Sequence, residues 1–211
     1  MVKLPESMSF NTGAAISCGT GTAYGALKRL DLTGDETIAI FGQGPVGLSA
    51  TQLAKAVGAR VIALDIGEER LELARQFGAD EVIDPGKNDV VVAIRNLTHG
   101  EGVHKLLDCS SSSGARRAAV QYVRTWGTVC FVGEDGDVTI DVSNDMHRRQ
   151  VTVVGSWTFS KNGQVDWAEF VAERKIEVDA LFTHKFKLDE ADATYKLFDT
   201  QTTGKGVFLM N

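Results

Sequence analysis

The sequence has 211 residues, with 22 Lys+Arg against 28 Asp+Glu for a formal net charge of −6, and is 43% hydrophobic and 24% charged. This is globular composition for one large domain, or one domain with an appendage, and it excludes disorder and low-complexity repeats. An acidic balance without a dense Lys/Arg cluster excludes a nucleic-acid or anionic-membrane partner recognised by charge, and three cysteines without a signal-peptide pattern exclude a disulfide framework. The expected compartment is reducing and cytoplasmic.

Residues 1–30 read as an irregular lead-in followed by a helix over about 21–30. Thr37–Phe41 is a short apolar run closed by Gly42, and Arg60–Leu64 is another closed by Asp65. Further strands are expected at Glu81–Ile83, 105–108, 128–132 and Thr152–Gly155. Most are rich in β-branched residues, as suits strands covered on both faces. Between them lie helical patterns. Pro45–Val57 carries Val46, Ala50, Leu53 and Val57 at spacings of three and four and stops at Gly58; residues 68–77 stop at Gly78; Val90–Leu97 and 113–123 are weaker. The longest uncharged stretch, residues 37–54, contains glycines, Pro45 and glutamines, and so fails as an apolar membrane span.

Strand and helix alternating in this way predict an α/β fold: right-handed βαβ units in a doubly wound parallel sheet with helices on both faces. The expected division is a lead-in and helix over residues 1–30, a Rossmann-type domain over 31–178, and a terminal strand, helix and strand over 179–211.

Gly42-Gln43-Gly44-Pro45-Val46-Gly47 fits G-x-G-x-x-G between a predicted strand and helix. Gly42 permits the tight turn, Gly44 lets backbone approach a pyrophosphate, and Gly47 allows close packing of helix on strand. The helix then aims its free N–H groups at the phosphates, with Pro45 in the first turn where no N–H is wasted. Asp65 closes the second strand where a carboxylate accepts both adenosine ribose hydroxyls. Its charge repels a 2′-phosphate, which favours NAD over NADP. An alternative has Asp65 capping the helix that starts near Glu68. Arg70 has three readings: flanking the ribose, tolerating a 2′-phosphate, or standing as a solvated helix charge.

Residues 18–27 (CGTGTAYGAL), the glycine fingerprint, residues 53–59 (LAKAVGA) and 75–80 (RQFGAD) together resemble the zinc-type medium-chain dehydrogenase/reductase family. The likeness continues through Leu107-Asp108-Cys109-Ser110, Trp126-Gly127-Thr128-Val129, Val132-Gly133 and residues 186–191 (FKLDEA). It covers nearly the whole chain but only the second part of a family subunit. Alcohol, polyol and threonine dehydrogenases of the family begin with a GroES-like catalytic domain that this sequence lacks.

The resemblance implies roles residue by residue. Cys18 matches the third protein ligand of a catalytic zinc, whose other ligands would lie upstream of Met1. Thr22 and Val46 match nicotinamide contacts, Asp65 the ribose-binding acid with Ile66 beside it in the cofactor-binding set, and Arg70 a basic residue next to the adenosine ribose. Cys109 and Val132 match backbone positions lining the cofactor cleft, and Lys205 lies near a basic residue that approaches the pyrophosphate. Residues 138–142 and the following strand match a region near a dimer interface.

The implied activity is hydride transfer between an alcohol or polyol carbon and NAD, in a homodimer, with this chain as the cofactor-binding part and poor or inactive in turnover alone. A non-catalytic dinucleotide-binding or sensor module is a second reading. A zinc-free NADPH quinone or enoyl reductase is a third, which Asp65 disfavours. His99, His104, His147 and His184 show no ligand-like spacing and read as surface or satisfied polar residues, with His147 in a solvent-facing turn or short helix. Cys109 and Cys130 read as small buried groups. Trp157 and Phe159 read as packing or interface before substrate pocket. Residues 206–210 normally pair on the catalytic domain. Without it they would leave an apolar edge, to be covered by a dimer or left mobile.

Overall fold

A computed structural model describes residues 2–200 and 204–210. Strands β1 (Thr37–Phe41), β2 (Arg60–Leu64), β3 (Glu81–Ile83), β4 (Val103–Asp108), β5 (Val123–Phe131) and β6 (Thr152–Gly155) form one sheet in the order β3-β2-β1-β4-β5-β6. Every pairing is parallel. The helices around it are α1 (Phe10–Ile16), α2 (Gly19–Leu30), α3 (Pro45–Val57), α4 (Glu68–Gln76), α5 (Val90–Leu97), α6 (Ser113–Tyr122) and α7 (Lys161–Arg174).

Alternation along the strands feeds a core on each face of the sheet. Ile38 and Ile40 of β1 face one side with Val61, Ala63, Leu107 and Cys130, covered by α2, α3, α4 and α7. Ala39 and Phe41 face the other with Ile62, Leu64, Leu106 and Val129, covered by α5 and α6. Full burial of each large aliphatic side chain contributes about 1.5–3 kcal/mol relative to exposure. The chain leaves β3 and returns across β1 to β4, so the strand order reverses between β1 and β4. Ligands of such sheets bind at that crevice, beyond the carboxyl ends of the strands.

Part of the first thirty residues is more ordered than their sequence suggests. Ser9 caps α1 by accepting the Thr12 N–H at 2.9 Å, and Ala15 and Ile16 are buried. Seven residues are too few to display a helical period. The helix α2 begins at Gly19, two residues ahead of expectation. The unpredicted α7 buries only Trp167, Ala168 and Val171 among many charges, a stripe too thin to stand out. Trp167 is nonetheless fully buried and stacks on Tyr24 with ring centroids 5.8 Å apart.

Past the sheet, β7 (Phe182–Phe186) and β8 (Lys205–Phe208) pair in parallel around α8 (Ala191–Asp199). β8 pairs with β7 along one side, in a two-stranded sheet that among the described residues leaves its other edge without a partner strand, and Phe208 packs against Phe186 and Tyr195. Only Leu209 and Met210 beyond it stay exposed. The start of α1 is tied to the turn before β7, since Ser9 and Thr12 hydroxyls both donate to Asp179.

Candidate functional site

The turn after β1 has the geometry its glycines require. Gly42 has φ +83°, the left-handed region, and a Cβ there would also lie 3.0 Å from the backbone of Ser110. A Cβ on Gly47 would lie 1.8 Å from the Gly42 carbonyl oxygen, so α3 can sit this close to the turn only with glycine at that position. Gly44, the N-cap of α3, has nothing within 4 Å of its would-be Cβ. The space in front of it is open, as a phosphate-bearing ligand requires. Pro45 occupies the first turn of α3.

Asp65 is buried, 7% exposed, at the end of β2. One carboxylate oxygen accepts the Gln43 N–H at 2.6 Å and the other the Gly67 N–H at 2.8 Å. Part of the alternative reading therefore holds, because Asp65 does bond to backbone just ahead of α4. It does so while bracing the glycine turn, and each oxygen keeps a further lone pair. Arg70 lies 3.9 Å from Asp65, with its side chain 18% exposed and its buried Nε without a hydrogen-bond partner. Ile66 is 79% exposed beside them, an apolar surface at the mouth of the site.

At the other end, Cys18, Val46 and Lys205 converge. A Cβ on Gly19 would lie 3.7 Å from Val46 Cγ2 and 3.8 Å from Lys205 Nζ. Burial holds the Lys205 pKa below its usual value, with the Cys18 sulfur pulling it the other way. Thr22, one turn along α2, donates its hydroxyl to the Cys18 carbonyl at 3.0 Å. Cys109 and Val132 follow β4 and β5, where the Cys109 N–H donates to the Phe41 carbonyl and the Val132 N–H to that of Asp108. Burial pushes the Cys109 thiol well above its usual pKa, aided by the Asp108 charge, and pushes the Cys130 thiol up to about 12.

Trp157 and Phe159 separate in the structure. Phe159 packs on α2, where a Cβ on Gly21 would touch its ring at 2.5 Å. Trp157 is 68% exposed and lines a cleft of 620 Å³ with Val132, Gly133 and Ser156. His147 is exposed at the start of a short 3-10 helix, His147–Arg149, one of the two forms expected.

Two features escaped the sequence reading. The Gln43 side chain is fully buried, donating to the Ile40 carbonyl and accepting from Thr51, which fixes the turn from below. Asp108 and Arg116 form a buried ion pair at 3.1 Å behind the cleft. A charged residue ending an apolar strand was the available signal for the second.

A catalytic zinc needs three protein ligands. Among the described residues no three His, Cys, Asp or Glu side chains converge, so Cys18 stands as a single exposed donor. The described residues do not by themselves make a zinc site.

An open α/β sheet with this glycine turn and a carboxylate at the end of β2 defines a Rossmann-type nucleotide-binding fold. The family model "Zinc-binding dehydrogenase" matches residues 45–175, and the chain belongs to that family. It is 37% identical over 212 aligned residues to the zinc-type alcohol dehydrogenase-like protein YphC of Escherichia coli, covering 98% of this chain and 59% of that one. To an alcohol dehydrogenase of Geobacillus stearothermophilus it is 34% identical over 178 residues, covering 84% and 52%. The solved alcohol dehydrogenase TADH of Thermus sp. ATN1 superposes with a TM-score of 0.92 at 27% identity, over 100% of this chain and 61% of that one. The chain thus spans little more than half the length of these relatives, aligning with their C-terminal part. Among the described residues no helix is long and apolar enough to cross a membrane.

Proposed function

We propose that this chain is the NAD-binding part of a zinc-dependent alcohol or polyol dehydrogenase, and that it binds NAD(H) without turning over an alcohol by itself. The observation that carries this reading is the buried Asp65 carboxylate bonded to the Gln43 N–H, beside the open space at Gly44. NAD, when bound, supplies the hydride acceptor.

The chain's own residues bind and orient it. The free N–H groups of α3 and the Gly44 backbone take the pyrophosphate. Asp65 accepts the ribose hydroxyls, with Ile66 and Arg70 flanking the adenosine. Lys205 adds a positive charge toward the phosphates, and Thr22, Val46, Cys109 and Val132 line the nicotinamide half. In the full enzyme Cys18 would supply one donor to a catalytic zinc, which would act there as a Lewis acid. The same reading places the protein in the cytoplasm as a homodimer joined along the open edge of β6, where backbone groups are free to pair.

The lone Cys18 donor also suits a dinucleotide-binding module without catalysis. A fluorescence titration with NADH, run beside an assay of simple alcohols and polyols with added zinc, tests both readings. Binding without turnover is expected. Turnover at ordinary enzyme rates would overturn the second half of the proposal, and absence of NADH binding the first.

A further inference from the structure

Asp108 ends β4 with no exposed surface, and both of its carboxylate oxygens accept hydrogen bonds. One oxygen accepts the Ser110 N–H at 3.0 Å and the Ser110 hydroxyl at 2.6 Å; the other accepts Arg116 Nε at 3.1 Å. Arg116, 6% exposed on the first turn of α6, donates again to the Gly133 carbonyl at 2.6 Å and lies over the Phe131 ring. Removing two charges from water is costly, and an apolar pair of equal volume would fill the space as stably or more so. Stability alone therefore does not account for an ion pair at this position. Its placement does: it joins three backbone segments at the carboxyl ends of the central strands.

The contacts are close. Ser110 lies against Gly42, where a Cβ would meet it at 3.0 Å, and Gly133 lies against Ser111, where a Cβ would meet its N–H at 2.6 Å. The N–H groups of Val132 and Gly133 both donate to the Asp108 carbonyl, at 3.0 and 3.1 Å. The Asp108 side chain thus fixes Cys109–Ser110, which lies against the glycine turn at Gly42, and through Arg116 it fixes Val132–Gly133, which lies against Ser111. No atom of the pair needs to touch a ligand.

We propose that Asp108, Ser110 and Arg116 are positioning residues for the nicotinamide half of the dinucleotide, setting the wall formed by Cys109 and Val132 relative to the glycine turn. This rests on the cofactor-binding reading above. The adenosine half is held elsewhere, by Asp65 and the turn itself, so the two halves respond differently to breaking the pair. ADP probes the adenosine half alone, and NADH probes both.

The experiment compares the full chain with its Asp108→Asn and Ser110→Ala variants, measuring Kd for NADH and for ADP and the melting temperature. The parent must bind both ligands. If it binds neither, the cofactor reading fails and this proposal with it. Given parent binding, Asp108→Asn weakens NADH by about tenfold and Ser110→Ala by about threefold, while ADP stays within about twofold. Should Asp108→Asn not fold, Ser110→Ala, which deletes one hydroxyl on an exposed residue, carries the same comparison. Equal loss of NADH and ADP, tracking a fall in melting temperature, would reduce the pair to a purely structural role and overturn the proposal. Unchanged NADH affinity in folded variants would overturn it too.

Discussion

Asp65 accepts the backbone N–H of Gln43 at 2.6 Å, so the end of β2 and the glycine turn after β1 are held as one unit by a single buried carboxylate. Replacing it removes a brace of the turn and, on the proposed reading, the contact to the ribose as well. Asp65→Ala is expected to raise the Kd for NADH by about ten- to a hundredfold, the equivalent of roughly 1.5–3 kcal/mol for hydrogen bonds to a charged group. Discrimination against NADPH should shrink in the same variant. Parallel fluorescence titrations with the two nucleotides give both quantities.

The glycines of the turn separate folding from binding. A Cβ at Gly47 meets the Gly42 carbonyl oxygen at 1.8 Å, whereas one at Gly44 meets nothing within 4 Å. Gly47→Ala should lose about 1–3 kcal/mol or more of stability through overpacking. Gly44→Ala should melt like the parent and still bind NADH more weakly, because the added methyl stands where the pyrophosphate approaches. Calorimetric melting of the two variants beside NADH titration checks the contrast.

A pH dependence follows from His104. Its Nδ1 accepts the Thr37 N–H at 3.2 Å, which requires a neutral ring. Burial lowers its pKa below the usual 6.5, the Arg124 charge adds to this, and Glu36, Asp35 and Glu101 oppose it. A proton then binds the unfolded chain more readily than the folded one. The stability contributed is complete above about pH 6.5 and declines as pH falls through the lowered folded value. Melting temperatures at about pH 7.5 and pH 5.5 should differ less in His104→Gln than in the parent.

Lys205 brings a partly desolvated ammonium beside Gly19 and Val46, and on the proposed reading its charge acts on the phosphates. Lys205→Ala is expected to weaken NADH severalfold and to flatten the salt dependence of its Kd, since the variant loses a charge whose attraction to the phosphates salt screens. An unchanged salt slope would remove Lys205 from the cofactor site.

Much of the fold was legible because β1 and β2 are covered on both faces and read as unbroken apolar runs, and because Gly58 and Gly78 mark helix ends by their left-handed φ. Less was legible where tertiary contacts override the pattern. The start of β5 carries Trp126 at φ +63° beside a register shift against β4, so no strand period shows there. In α7 only Trp167 and its neighbours on one thin stripe are buried. At the site, the glycine turn and Asp65 announce themselves by spacing. Arg116 does not, because nothing in its helix hints that it reaches back eight positions to Asp108 and across to Gly133.

The most direct test is the preference of the site for a dinucleotide without a 2′-phosphate. Isothermal titration of the full chain with NADH and with NADPH, under one buffer and salt, measures that preference. With Asp65 facing the ribose, NADH binds and NADPH is weaker by about tenfold or more. Equal or tighter binding of NADPH, or no binding of either nucleotide, would contradict it.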